Sequence, residues 1–515
     1  MELIKQRVHM NKCNCRNQVQ ITLSNDFNVP DAKADALSLI KDKGEITIDE
    51  VRFVSGKGTV KGKMDFSLLY LGDEDGHPVC DLTGSVPFEE TVSLEDACRE
   101  DDVSVNYTID DLQTELINSR KIGVKAIVTL EVVAESLYDG EGAVGISDDD
   151  EVMTRRRLMD VTQMAICKKD TYRFRDEWSL PATKTAIRKI LYEDITLMDM
   201  ETRPVDEKIN ISGQVKIFLL YMTEEEDSKL EFYENILPIS GSVECNGCDE
   251  SMVSHIQIGI HSRDLVLKED EDGERRTLDL ELVLNLMMKI YRQEEMEVLT
   301  DFYSTTRELR PVYTDSYFEN LLMKNTGKCR VSGKLTWSEE EMPLQIWNVS
   351  GTLFVDQKEI VESGVKISGV IDASILYVSG KEDIPLGSLK GSIPFEQIVE
   401  IRDVKPDTLI FVNSCLDQIT AAMLGDGEIE IKAVVSLDVI AFDRVVMPMI
   451  SDYTVEELDK SMRNKAPGLI GYVVKDGECL WDIAKQYYTT IESVMELNGL
   501  ENENIRTGDM LLLAK

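Results

Sequence analysis

Any chemistry in this chain has to come from a small set of residues. There are four histidines and ten cysteines in 515 positions. His9, Cys13 and Cys15 lie close together, and Cys245 and Cys248 frame the fragment Cys-Asn-Gly-Cys. Thiols at that spacing could hold zinc or cycle with a disulfide. The two clusters are far apart in sequence, and the second Cys-x-x-Cys of a zinc ribbon is missing, so both read as unlinked thiols. His77 sits in the turn Asp75-Gly76-His77-Pro78, an ordinary surface position. His255 and His261 flank Ile256–Ile260 on an expected strand, which is not the helical spacing of a His-Glu-x-x-His metal site. No Gly-x-Ser-x-Gly elbow or Walker loop occurs. Carboxylates are so abundant that no pair stands out as general acid and base. The chain reads as a non-enzyme without cofactor or metal.

Binding candidates concentrate at the C-terminal end. Tyr472-Val473-Val474 reads as a short strand ending at the turn Asp476-Gly477. Leu480, Ile483, Ala484 and Tyr487 follow at helical spacing. Thr489 with Glu492 reads as a capping box for a second helix through Val494 and Leu497, stopped at Asn498-Gly499. Gly508 precedes a closing strand, Met510 to Leu513. The order is strand, helix, helix, strand. This order resembles the LysM module, as do Tyr472, Val474, Gly477, Leu480, Ile483, Ala484, Tyr487, Leu497, Asn498, Leu500, Ile505, Gly508 and Leu511. The resemblance implies a groove for N-acetylglucosamine chains, formed by the loop Gly477, Glu478, Cys479 and Leu480 and the loop with Asn504 and Ile505. Trp481 could lie over that groove or pack inside. Cys479 stands where the family has Ser or Thr, and a thiol is the weaker hydrogen-bonding group. The loops therefore read as a site for either sugar or protein.

Composition narrows the partners. Fifty-six basic against 96 acidic residues leave a net charge of −40, which repels nucleic-acid phosphates and anionic membrane surfaces. No run approaches the ~18 apolar residues of a membrane span. The beginning, MELIKQRVHMNKCNC, has no apolar signal region. No export, nucleic-acid binding or membrane insertion is expected, and the module carries more acidic than basic residues.

The elements before this module repeat three times. The cores are Val60-KGKMDFSLLY-Leu71, Ile211-SGQVKIFLLY-Met222 and Ile367-SGVIDASILY-Val378. Gly62, Gly213 and Gly369 each stand eight residues before Tyr70, Tyr221 and Tyr377. Each tyrosine is followed by a polar turn and a Gly-Ser pair, at Gly84, Gly241 and Gly391. The first and third copies share Pro87-Phe88 and Pro394-Phe395. The register holds over long distances: Gly62 to Gly369 is 307 residues, as is Val124 to Ile431, and both Gly62 to Gly213 and Pro30 to Pro181 are 151. Such agreement marks three copies of one domain. Met64, Phe66, Leu68 and Tyr70 alternate with the residues between them, a strand period with one apolar face. The tyrosines read as core, each needing a hydroxyl partner.

The expected fold is mainly β: three repeated antiparallel β-sandwich-like domains, or open barrels, plus a small βααβ module. The expected limits are 1–150, 151–300 and 301–450 for the repeats, 451–470 for a linker and 471–515 for the module. Further strands are expected at Glu45–Val54, Val103–Ile109 and Lys121–Ala134. Short helices are expected at Ala32–Ile40 and Lys184–Tyr192. Residues 139–151 read as a mobile acidic loop, 263–277 as a hairpin tip, and Ser451–Gly468 as a helical then flexible tether. In the third copy, Lys328–Trp337 reads as an extra β stretch, and only Met342–Trp347 remains of the expected helix region.

Three such repeats followed by one LysM module resemble the SipL-type spore coat morphogenetic proteins of anaerobic, endospore-forming Firmicutes. The resemblance implies a structural role in the mother-cell cytoplasm at the forespore surface. It implies attachment of the spore coat through the coat's basement-layer ATPase, with LysM serving as an interaction module. The alternative is recognition of cortex peptidoglycan or N-acetylglucosamine oligomers through LysM.

Overall fold

Period-two alternation gives strands nearly everywhere it occurs. The computed structural model describes residues 2–54, 56–74, 78–94, 103–147, 151–225, 229–338, 341, 343–381, 384–424, 427–457 and 468–514. It is 80% strand and 3% helix. The first repeat contains β1 (Leu3–Asn28), β2 (Ala36–Val54), β3 (Lys57–Gly72), β4 (Val79–Ser93), β5 (Val103–Asn118) and β6 (Lys121–Ile146). The second contains β7 (Val152–Ser179), β8 (Ile187–Val205), β9 (Lys208–Thr223), β10 (Leu230–Glu244), β11 (Val253–Glu269) and β12 (Arg275–Ser304). The third contains β13 (Arg307–Thr336), β14 (Pro343–Val361), β15 (Gly364–Lys381), β16 (Ile384–Glu400), β17 (Leu409–Met423) and β18 (Glu428–Glu457). Each repeat is two three-stranded antiparallel sheets, in the first case β1-β6-β5 and β2-β3-β4. Their inner faces share one core, including Met64, Phe66, Leu68, Tyr70, Val124, Val128 and Leu130. This is a sandwich.

The repeated Gly and Pro-Phe have a joint cause. Gly62 pairs with Phe88 and Gly369 with Phe395 across the ladder. A Cβ on either glycine would overlap a carbonyl oxygen of the neighbouring bulged strand, Thr47 or Phe354, and crowd the phenylalanine ring. The bulge presses in, and the ring covers the bare backbone. In the second repeat Pro238 pairs with Gln214 and Ile239 with Gly213, the places of Pro87 and Phe88, while Met200 covers Gly213. The true correspondence runs through Pro238, so Gly241-Ser242 is not the equivalent of Gly84-Ser85. The prolines sit on β4, β10 and β16, all sheet edges, where a missing N–H costs no ladder bond. Tyr70 donates to the Ala34 carbonyl at 3.2 Å and Tyr221 to Glu231 at 2.9 Å, the partners that burial demands.

The three repeats form a ring in which each touches the other two. Lys43 pairs with Asp194 at 2.7 Å, Lys328 with Asp199 at 2.5 Å and Lys390 with Asp42 at 2.5 Å. Their junction buries Leu69 and Leu71 of the first, Tyr192 and Phe218 of the second and Leu376 of the third. Lys41 is also there, 2% exposed, donating to Ser350 at 3.1 Å and Ser374 at 3.0 Å. Beyond the sandwiches the long antiparallel strand pairs β1–β6, β7–β12 and β13–β18 extend together around a second shared core of Val8, Met10, Val161, Met296, Phe318 and Met449.

Several local expectations are corrected. Residues 32–40 and 184–192 form no helix. Single turns close there, with Lys33 donating to Pro30 and Lys184 to Pro181, both at 2.9 Å. Arg120 takes the Lys33 carbonyl, and Arg276 those of Pro181 and Lys184, and from Ala36 and Ile187 onward the chain pairs with β3 and β9 instead of coiling. Residues 139–146 are strand, because β6 pairs with β1 to its end. Their glycines answer to packing: a Cβ on Gly140 would meet the Tyr317 carbonyl at 2.8 Å, and one on Gly142 the Met449 methyl at 2.5 Å. Lys328–Thr336 is the end of β13, the counterpart of β1 and β7, and no addition. The hairpin tip is only 270–274, between β11 and β12. Residues 451–457 are strand paired to β13. The tether residues 458–467, together with His77, residues 148–150 and Met342, lie outside the described residues.

Candidate functional site

The C-terminal module folds as its pattern dictates. Strands β19 (Leu469–Val473) and β20 (Met510–Ala514) pair antiparallel, and helices α1 (Leu480–Tyr487) and α2 (Ile491–Asn498) pack on them. Tyr472, Val474, Leu480, Ile483, Val494, Leu511 and Leu513 form its core. Helix α2 is capped by Thr490, which accepts from the Ser493 amide at 3.1 Å. The cap is therefore one residue later than the Thr489–Glu492 box. Gly499, at φ +63°, ends α2 in the left-handed geometry glycine favours.

The two loops are braced from within. Glu478 accepts from the Lys475 amide at 2.9 Å and from the Tyr472 hydroxyl at 2.8 Å. Those donors hold the Glu478 carboxyl below its ordinary range, and the carboxylate in turn pushes the Tyr472 hydroxyl up to about 12. Asp482 accepts from the Cys479 amide at 3.1 Å, with the thiol at 3.1 Å from the same oxygen. Thr507 donates to Asp476 at 3.3 Å and ties the second loop to the first. Gly477 and Asn504 are exposed, Ile505 is half-buried against the core, and Leu480 is fully buried.

Trp481 is also buried, and its cover is the β body. The indole N–H donates to Asp301 of β12 at 2.8 Å. The Lys485 ammonium reaches the same carboxylate at 2.6 Å. Tyr303 stands edge-on to Trp481, centroids 4.9 Å apart, and its hydroxyl donates to the Thr489 carbonyl at 2.8 Å. Met153, Cys479 and Ile491 pack around this contact. Trp481 is thus engaged by Tyr303 and Asp301 with Cys479 beside it, while Leu480 is spent on the module's own core.

The opposite side carries a surface that periodicity did not reveal. Leu469, Val473, Met510 and Leu512 are 55%, 53%, 73% and 40% exposed. They alternate with buried Tyr472, Leu511 and Leu513, so the outer face of the two-stranded sheet is apolar as well as the inner. The signal was the unbroken run Met510-Leu-Leu-Leu513, apolar on both phases of a strand. A contiguous apolar face on a small module marks an interaction surface.

The cysteine clusters have other tasks. Cys245 and Cys248 are buried in the second core, with the Cys248 thiol directed at the Val205 and Lys208 carbonyls at 3.1 and 3.3 Å. Burial, then the neighbouring Cys248, pushes the Cys245 thiol up to about 11. The Cys248 thiol, spent on the two carbonyls, fastens the turn. The Cys13 side chain lies outside the described residues; Cys15 packs against the first core. His255 is buried with Nδ1 at 3.4 Å from Asp438, and among the described residues no helix is long and apolar enough to cross a membrane.

Known protein families fit this arrangement. The model of the SipL, SPOCS domain matches three times, over residues 35–117, 186–265 and 344–424. Those segments begin within a residue of β2, β8 and β14. The LysM domain model matches residues 472–514. No curated protein and no solved structure matches the chain. The chain carries three SipL, SPOCS domains and a C-terminal LysM domain, which matches the SipL-type proteins. Both are non-catalytic domain families, and together they fit a sporulation coat protein.

Proposed function

We propose that this protein is a structural spore coat morphogenesis protein: the ring of repeats is a rigid scaffold, and LysM is its protein-binding module. The partner in this reading is the basement-layer ATPase of the coat, and the place of action is the mother-cell cytoplasm at the forespore surface. One observation carries it. Trp481, the largest aromatic near the sugar loops, is engaged by Asp301 and Tyr303, whereas Leu469, Val473, Met510 and Leu512 offer an apolar face. Apolar faces of that kind suit a protein surface better than a polyhydroxylated sugar chain.

The test is localisation of a fluorescently tagged chain in sporulating cells, compared with Met510→Glu and with removal of residues 466–515. A ring around the forespore that both changes abolish is the expected result. A ring that survives both would move the contact to the repeats. Diffuse signal in every case would end the coat reading. Pelleting of the intact chain with peptidoglycan, competed by N-acetylglucosamine oligomers, would replace it with the carbohydrate reading.

A further inference from the structure

The three sandwiches are not equally closed. In the first, a Cβ on Gly44 of β2 would lie 3.3 Å from both Ile109 and Leu112 of β5. In the third, a Cβ on Gly351 of β14 would lie 2.8 Å from Leu416 and 2.9 Å from Ile419 of β17. The bare glycine lets the fifth strand set two aliphatic side chains against the second. These positions correspond, since each pair is 307 residues apart. Thr114 donates to Asp42 at 3.0 Å across the first seam.

The second repeat departs from this at two of the three places, while Ile260 keeps the place of Ile109. A shift of 151 puts Ile195 where the glycine stands and Arg263 where the leucine stands. On the ladder Leu112 faces Ala126 and Ile419 faces Ala433, but Arg263 faces Leu282. Ile195 and Leu282 are buried in the second core, which is therefore filled from within. Arg263 turns away to Glu45 at 2.6 Å and Glu193 at 3.3 Å. Past that pin the seam between β8 and β11 opens into a cleft of about 1100 Å³, with β17 of the third repeat as its other wall. Leu197, Met200, Ile211 and Ile258 give it an apolar lining, and Ser212 and Ser240 a hydroxyl rim. Leu197 is only half-buried, although Ile46, its counterpart in the first repeat, is 4% exposed.

We propose that this cleft is a docking site for an extended segment of a partner protein that carries two aliphatic side chains and a basic flank. The lining defines the aliphatic part: Leu197, Met200, Ile211 and Ile258 suit two side chains of the size that Ile109 and Leu112 bring to the first seam. Both β8 and β11 are sheet edges, so their outer backbone groups can take an added strand. The cleft also continues the contact between repeats two and three, where Gln257 donates to Asn413 at 2.8 Å. Charge selects the flank. A net charge of −40 repels acidic segments, including those of a second copy, and draws basic ones.

The probe is a synthetic peptide of the seam strand, Phe411–Ala421, with Cys415→Ser and three lysines appended, added to the full chain. The expected result is saturable binding that weakens with salt. Slowed hydrogen exchange should be confined to residues 197–203 and 256–260. Leu197→Lys and Ile258→Lys, both at half-buried positions, should each weaken binding about tenfold or more. Met510→Glu should leave it unchanged, which separates this site from the LysM contact. Failure to saturate at millimolar peptide, equal binding of a scrambled peptide, indifference to both lysine substitutions, or protection of β2 and β5 instead would each overturn the proposal.

Discussion

The β body and the LysM module are held by different kinds of contact. Repeats meet through shared cores, where Phe218, Phe318 and Phe442 are about 1% exposed and side chains from several repeats interlock. LysM meets the body through a small patch: the Asp301 carboxylate, the edge-on Tyr303–Trp481 pair, a hydrogen bond from the Tyr303 hydroxyl to the Thr489 carbonyl, and Met153 packed beside them. The first kind of joint cannot open without unfolding; the second can. A scaffold needs the one, and an interaction module that must reorient toward a partner gains from the other.

Breaking the body should have the largest effect. Gly369→Val drives a branched side chain into the Phe354 carbonyl and the Phe395 ring, neither of which can yield within a paired ladder. A loss of at least ~3 kcal/mol is expected, read as a lower unfolding midpoint in denaturant. An unchanged midpoint would refute the account of the repeated glycine.

A subtler change tests the junction. Burial pulls the Lys41 ammonium from its ordinary 10.5 down to about 8, against the pull of Asp194. The unfolded chain keeps this proton to higher pH, so the cost of burying the charge is fully present below about 8 and fades as pH rises toward 10.5. Lys41→Met lacks that cost. Its stability relative to the parent should therefore fall with pH across this window, by up to ~3 kcal/mol. Parallel melting curves from pH 7 to 10 would show that Lys41 carries its charge without penalty.

Detaching LysM should disturb least. Asp301→Ala removes the shared acceptor of Trp481 and Lys485 and should weaken docking by ~2 kcal/mol. The body's unfolding midpoint should stay within ~0.5 kcal/mol of the parent, while small-angle scattering shows a longer particle. A drop in the body's stability instead would mean that the module is part of the scaffold.

Much of this was legible in the sequence. Strand periodicity, the 151 and 307 shifts and the LysM pattern depend on local alternation and turn chemistry, which act over a few residues. The burial of the three tyrosines was legible too, and Tyr70 and Tyr221 find the hydroxyl partner that an aromatic on the apolar phase needs. One source of error was a glycine-rich stretch read by its composition. Residues 139–146 look like a loop, yet their glycines are there because neighbouring repeats approach to within a side chain of them. The stretch after Pro30 looks helical, yet from Ala36 it is claimed by pairing with β3. Trp481 could not be placed from sequence, because Asp301, its acceptor, lies 180 residues away.

The sequence by itself determined three β repeats, their internal register and a βααβ module, because these follow from side-chain period and turn residues. Tertiary structure alone decided the closed ring, the exposed face of the LysM sheet, the docking of Trp481 on β12 and the open seam of the second repeat. Each of those depends on which surfaces meet, and burial is a property of the partner surface as much as of the residue.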